Sequence, residues 1–288
     1  PGGAVGMKLP VGQARPVLVT GCPPGIGRAP ASVLRDAGWV VWPTARTAED
    51  LEHLADVGFE PLSLDIADEA SVAQCTAEVL RRSEGGLGGI VNNAGFAQAG
   101  AVEDLDRDAL RRQFEVNVFG LQDLTNRLLP RMRDQGWGRV VNVSSIYGLI
   151  SAPLVGAYCA SKFALEALSD AQRVELAGTG VGVILIEPGP IVSRFRSNAA
   201  SSAESNLDAE ASRFGSTYQR RIVAKKDRAQ SVSFTTRPPE DVARRILHAL
   251  ASPRPKRRYL ITPPAHLGAV ARRFLPTAAI DWLLGRTV

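Results

Sequence analysis

Tyr158 and Lys162 stand one helical turn apart in Tyr158-Cys159-Ala160-Ser161-Lys162, with Ser145 thirteen residues upstream. A phenol, an ammonium and a hydroxyl so spaced can move one proton to or from a substrate oxygen. At i and i+4 on a helix, the tyrosine and the lysine share a face. A free phenol titrates near 10, so alone it is a poor acid–base group at neutral pH. A neighbouring ammonium favours the phenolate. Bringing the phenol near 7 takes about 4 kcal/mol, at about 1.4 kcal/mol per unit. Taken singly, each residue has a plainer explanation. Tyr158 can be a helix tyrosine, Lys162 a solvated charge, Ser145 one of the adjacent serines Ser144 and Ser145, and Asn117 a cap or kink within Glu115-Val116-Asn117-Val118. Their order and spacing favour catalysis, and the distance to Tyr158 favours Ser145 over Ser144.

Short apolar runs alternate with amphipathic stretches and must position these groups. Strands are expected at Pro16–Thr20, Trp39–Trp42, Phe59–Leu64, Gly89–Asn92, Arg139–Val143, Val181–Ile186 and Arg258–Ile261. Helices are expected from the first glycine turn to Ala37, and over Ala48–Val57, Glu69–Arg82, Arg107–Asp134, Ala157–Ala177 and Glu240–Ala251. Continuous apolar strands separated by helices imply a mainly parallel sheet covered on both faces. The expectation is an α/β fold: one doubly wound Rossmann domain with seven strands over residues 16–264. Residues 1–15 read as a flexible Gly/Pro-rich tail, 197–237 as a lid or substrate-loop insertion, and 265–288 as an amphipathic extension.

Thr20-Gly21-Cys22-Pro23-Pro24-Gly25-Ile26-Gly27 follows the first strand and opens a helix. Glycines there permit a tight turn and let the backbone approach a pyrophosphate at the positive helix end. The spacing Gly-x-x-x-Gly-x-Gly differs from the more usual Gly-x-Gly-x-x-Gly. An acid at the end of strand two would bind a ribose 2′-hydroxyl. Here Ala45-Arg46 stands instead, which leaves room for a 2′-phosphate and supplies a bidentate guanidinium. An exposed loop charge is the alternative for Arg46, and Arg28 is either a helper or a surface residue.

Together, Thr20–Gly27, Asn92-Asn93-Ala94-Gly95, Ser145 and Tyr158-x-x-x-Lys162 resemble the short-chain dehydrogenase/reductase family over about Pro16 to Ile261. Tyr158–Glu166 and Ile186-Glu187-Pro188-Gly189-Pro190-Ile191 look like its 17β-hydroxysteroid and retinol dehydrogenase group and the related bacterial NADP-dependent aldehyde reductases. The resemblance implies an NADP(H)-dependent oxidoreductase. Tyr158 would be the general acid or base, Ser145 would bind the carbonyl oxygen, Lys162 would bind the nicotinamide ribose and lower the tyrosine pKa, and Asn117 would hold a relay water. Cofactor contacts would come from Gly21, Gly25, Ile26, Gly27, Arg46, Asp65, Ile66, Asn93, Ala94, Gly95, Tyr158, Lys162, Pro188, Gly189, Ile191 and Ser193. Asn92 would tie the central strands. Pro23 and Pro24 depart from the family's loop, since proline offers no N–H, and Pro30 is a further departure.

Phe96, Ile146, Leu149, Val155, Pro190 and Phe195 form the expected substrate wall, alongside the 197–237 segment. Their apolar character suits a hydrophobic aldehyde, ketone or matching alcohol, a retinoid or steroid included. A dinucleotide-sensing binding protein is the alternative of another class, against which an intact proton-donor set argues. The net charge of +5 lies mainly in Arg194–Arg228 and Arg244–Arg273 without aromatic interleaving, so no nucleic-acid partner is expected. Three scattered cysteines and three unpaired histidines give no metal-ligand spacing. With no apolar run of about 20 residues and no leader, a cytoplasmic protein is expected. Weak contact of the Leu267–Leu284 tail with a membrane surface, and pairing into a homodimer or homotetramer through Phe163, Leu165 and Leu168, complete the expectations.

Overall fold

Strands β1 (Pro16–Val19), β4 (Gly89–Asn92), β5 (Gly138–Val143) and β6 (Val181–Pro188) are buried almost throughout, because helices cover both faces of the sheet they build. The computed structural model describes residues 16–23, 27–84, 86–193, 195–206, 208, 210–220 and 232–285; Gly25 and Ile26 lie outside them. With β2 (Val40–Ala45), β3 (Leu62–Ser63) and β7 (Arg258–Ile261), the strands form one seven-stranded sheet. Their order is β3-β2-β1-β4-β5-β6-β7, and all six pairings are parallel.

Alternation along the strands sorts the core into two layers. Val17, Val19, Val91, Val141 and Ile184 meet α1 (Arg28–Asp36), α2 (Ala48–Asp56) and α9 (Pro239–Ala251) through Leu34, Leu54 and Ile246. Leu18, Ile90, Val140 and Val183 meet α3 (Glu69–Arg82) and α5 (Gly120–Asp134) through Val79, Leu124 and Leu128. Since β1 lies between β2 and β4, the chain order reverses there and opens a crevice at the strands' carboxyl ends, where open α/β sheets bind ligands. Pro30 is harmless at the third position of α1, since the first turn's N–H groups have no helical partner.

Five local expectations need correction, and the first is β3, which covers only Leu62–Ser63 of the expected Phe59–Leu64. Strand β2 runs past Trp42 to Ala45, pairing Pro43 with Val19. The single helix expected over 107–134 is α4 (Arg107–Phe114), a π-helical turn (Glu115–Phe119) and α5, with Asn117 inside the turn. The C-terminal extension is two helices, α10 (Pro263–Phe274) and α11 (Thr277–Gly285). They part at Leu275, which is extended because Pro276 disfavours helix before it. On α6 (Gly156–Glu175), Leu165 is fully buried in the core, so it is no part of an outward interface face. Within 197–237, α7 (Phe195–Asn206) and α8 (Gly215–Tyr218) form. They are tied to the body by Gln98 with Ser202 and Asn206, and by Tyr218 with Asp104.

Candidate active site

The crevice holds a cavity of about 1180 Å³, reaching from Arg46 at one end to Phe195 and Leu284 at the other. Its floor at the first turn is built by close backbone approach. Gly21 has φ +67°, and a Cβ there would lie 2.7 Å from Ala94 Cα. A Cβ on Gly27 would lie 1.8 Å from Gly21 O. The turn is then sewn to the end of β4: the Asn93 amide donates to Gly21 O at 2.8 Å and Thr20 O at 3.0 Å. Thr20 Oγ1 accepts the N–H groups of Asn93 and Ala94. The Asn93 side chain is thus spent on holding the loop. Only glycine fits this cradle, which suits a group that must touch backbone, such as a dinucleotide pyrophosphate.

At the same end, Cys22 N–H donates to Thr44 O at 2.8 Å and fixes β2 against the turn. Arg46 follows, exposed on the rim of the cavity. Thr47 caps α2 by accepting from Asp50 N–H, and its hydroxyl donates to the Asp50 carboxylate at 2.8 Å. Arg28, the other basic candidate, does not line the cavity and contacts His53 instead. Asp65 and Ile66 line the far side, the Asp65 carboxylate accepting from Ala67 N–H. Pro188, Gly189, Ile191 and Ser193 close the opposite wall. Ser193 Oγ accepts from Phe195 N–H at the start of α7.

Ser145, Tyr158 and Lys162 meet in the middle of the cavity. Ser145 lies two residues past the end of β5 and caps the short 3₁₀ turn Ile146–Gly148, accepting from Tyr147 N–H at 3.1 Å. Tyr158 is buried between the Phe195 ring at 5.3 Å and the Tyr147 ring at 6.3 Å. Burial pushes its phenol well above the ordinary value, and a hydrogen bond with Ser145 only partly opposes this. Lys162 Nζ donates to Val143 O at 2.8 Å and lies 5.8 Å from the Tyr158 ring centroid. Burial brings this lysine down to about 8, against the pull of Glu166. In the protein alone, therefore, desolvation dominates and the phenol stands above its ordinary value.

Asn117 sits behind this group, fully buried. Its amide donates to Phe96 O and to Ser161 Oγ, both at 3.0 Å, and its Oδ1 accepts from Phe96 N–H. The π turn thereby pins the loop after β4 to α6 between Tyr158 and Lys162. Asn92 bonds Thr125 and Asn142 and ties the central strands.

Of the substrate-wall residues, Phe96, Ile146, Val155, Pro190 and Phe195 line the cavity and Leu149 does not. The 3₁₀ turn closes with Leu149 N–H donating to Ile146 O, and the chain leaves the wall there. Tyr147, two residues past Ser145, takes a place in the wall that sequence reading passed over. Leu284 arrives from α11, and no local signal announces it.

Residues 15–204 match the short-chain dehydrogenase family, described as short chain dehydrogenase. The chain belongs to that family and is an oxidoreductase of it, with a fold and crevice of the kind that binds a nicotinamide dinucleotide. It is 38% identical to the uncharacterized oxidoreductase YbbO of Escherichia coli (strain K12), over 93% of each chain. An NADPH-dependent 3-dehydrocapnine reductase of Ornithobacterium rhinotracheale is 33% identical, over 93% of this chain and 95% of its own. Human 17-beta-hydroxysteroid dehydrogenase type 1 is 34% identical, over 90% and 78%. A crystal structure of a short-chain dehydrogenase from Streptomyces avermitilis superposes with a TM-score of 0.76 at 31% identity, covering 96% of each chain.

Proposed function

We propose that the protein is an NADP(H)-dependent reductase of hydrophobic aldehydes or ketones, working in reverse on the matching alcohols. One observation carries this reading: Ser145 and Tyr158 stand in a single cavity between a glycine cradle with Arg46 at its rim and an end walled by Phe96, Val155, Pro190 and Phe195. NADPH, when bound, supplies the hydride. Arg46 and the uncharged Ala45 favour a 2′-phosphate over a bare 2′-hydroxyl. A relative named NADPH-dependent points the same way.

Ser145 Oγ donates to the substrate carbonyl oxygen and orients it, stabilising charge that develops there. The neutral Tyr158 phenol gives that oxygen its proton, and burial keeps the phenol protonated through neutral pH. Lys162 holds the cofactor ribose and presents its charge to the phenolate left behind. Asn117 keeps the loop at Phe96 and the catalytic face of α6 in register. The rings of Phe96 and Phe195 exclude water from the reacting carbon. We take Gly25, Ile26, Asp65, Ile66 and Ser193 as further cofactor contacts, and the 197–237 segment as the cover of the substrate end. A second copy would pair on the outer side of α6, where Leu168 and Val174 are exposed.

A steroid ketone or retinoid is the second reading, favoured by the likeness to a 17-beta-hydroxysteroid dehydrogenase. The deciding experiment follows NADPH and NADH consumption over a panel of medium-chain aldehydes, aromatic aldehydes, retinal and steroid ketones. We expect turnover with apolar carbonyls and preference for NADPH. Binding of NADPH with no turnover on any member would favour a sensor and remove the reductase reading.

A further inference from the structure

Lys162 has a second neighbourhood, further along the same face of α6. One turn further along the helix, Glu166 is buried and bonded to Arg258 of β7. The same guanidinium bonds Glu187 of β6 through Nη1 and Asp170 of α6 through Nη2, the latter at 2.7 and 2.8 Å. Arg173 also bonds Asp170, at 2.6 Å. Gly148 leaves the space that this arrangement needs, since a Cβ there would lie 2.9 Å from Glu166 Cγ. Three carboxylates thus face two guanidinium groups. When all are ionised one negative charge is left over, and Lys162 is the cation one helical turn away.

We propose that Glu166, fixed by Arg258, is the counter-charge that keeps the Lys162 ammonium protonated in its buried position, and so acts on the reaction as a positioning residue through Lys162. The charged and titratable groups around it are Lys162, Asp170 and Arg173 on its own helix, Arg258 on β7, Glu187 on β6, and Tyr147 and Tyr158 on the cavity side. Burial raises the carboxyls of both Glu166 and Glu187, Glu187 to about 7, and Arg258 opposes the rise in each. The cluster therefore gains negative charge as pH rises through neutrality, in the range where Lys162 would otherwise lose its proton. That gain opposes the loss, since a nearby anion favours the charged lysine.

For the rate, this inference rests on the catalytic reading of Lys162; for the lysine's protonation it does not. The test is an NMR pH titration of the cofactor-free protein labelled with ¹³C at lysine Cε. The chain has only five lysines, so the Lys162 signal can be assigned by its loss in Lys162→Arg. We expect a wild-type midpoint of about 8. Glu166→Gln, which keeps shape and a partner for Arg258, should lower it by about one unit. Glu187→Gln removes a carboxylate that Arg258 holds further from Lys162, and should lower it less than Glu166→Gln does. If Glu166→Gln does not fold, Glu166→Asp, which withdraws the charge by one methylene, should still lower the midpoint by less. An unmoved midpoint in the Glu166 variants, or an equal fall in Glu187→Gln, would overturn the proposal. In turnover, the alkaline limb of kcat/KM for Glu166→Gln should move to lower pH by a similar amount. Absence of turnover in the wild type would defeat the catalytic reading and leave the lysine titration to decide this one.

Discussion

Tyr158 is a phenol that burial keeps protonated, and Lys162 is a cation that burial makes reluctant to stay charged. In water the two would be a weak acid and a weak base; packed here they suit the proposed roles of proton donor and adjustable charge. For reduction the acid form of Tyr158 is the working form, so its upward shift favours that direction. The proposed preference for NADPH rests on another single residue. Arg46 stands exposed at the rim, where its loss should leave the fold intact. We expect Arg46→Ala to raise KM for NADPH by about ten-fold or more, matching one to two charge-assisted hydrogen bonds at about 1.5–3 kcal/mol each. KM for NADH should hardly move. Steady-state kinetics with both cofactors check this, and equal changes for both would remove the phosphate-binding role.

The elements explain why these residues meet. Ser145 follows β5 by two residues, Tyr158 and Lys162 lie in the first two turns of α6, and Asn117 hangs from the π turn between α4 and α5. The strands were legible from their apolar runs, and the glycine turn and the Tyr-x-x-x-Lys pair from spacing alone, because each of these signals is local. The π turn was not. Glu115–Phe119 holds no Gly or Pro that would announce a break, and only packing against the Phe96 loop rewards the extra residue per turn. The outward assignment of Leu165 failed for a similar reason: the register of α6 on the sheet decides which apolar residues face in. Asn117→Ala would strip Phe96 N–H and Ser161 of a buried partner. It should cost about 1–3 kcal/mol, the price of leaving such groups unpaired. Thermal unfolding should show the drop, with far-UV circular dichroism unchanged and kcat reduced. An unaltered melting temperature together with full kcat would contradict the bracing role of the turn.

For the whole molecule, the parallel sheet supplies one crevice at the β1/β4 reversal, and every group proposed for cofactor and proton transfer among the described residues opens onto it or braces it. Contacts made over long chain distances could not be read ahead. Arg258 joins Glu166 from 92 residues away, Tyr218 anchors to Asp104 over 114, and Leu284 reaches the cavity from the last helix described. Around the outside, α10 and α11 expose Leu267, Phe274 and Trp282 beside Arg272 and Arg273. No helix among the described residues is long and apolar enough to cross a membrane.

The most direct check on the whole account compares the wild type with Tyr158→Phe, first for NADPH binding by fluorescence titration, then for NADPH oxidation with the best carbonyl substrate of the panel. Removing one hydroxyl from a packed aromatic site should leave melting behaviour and NADPH affinity nearly unchanged. Turnover should fall by about 10²-fold or more, the usual scale of a positioned general acid. Retained turnover in Tyr158→Phe, with cofactor binding intact, would contradict the assignment of Tyr158 as the proton donor.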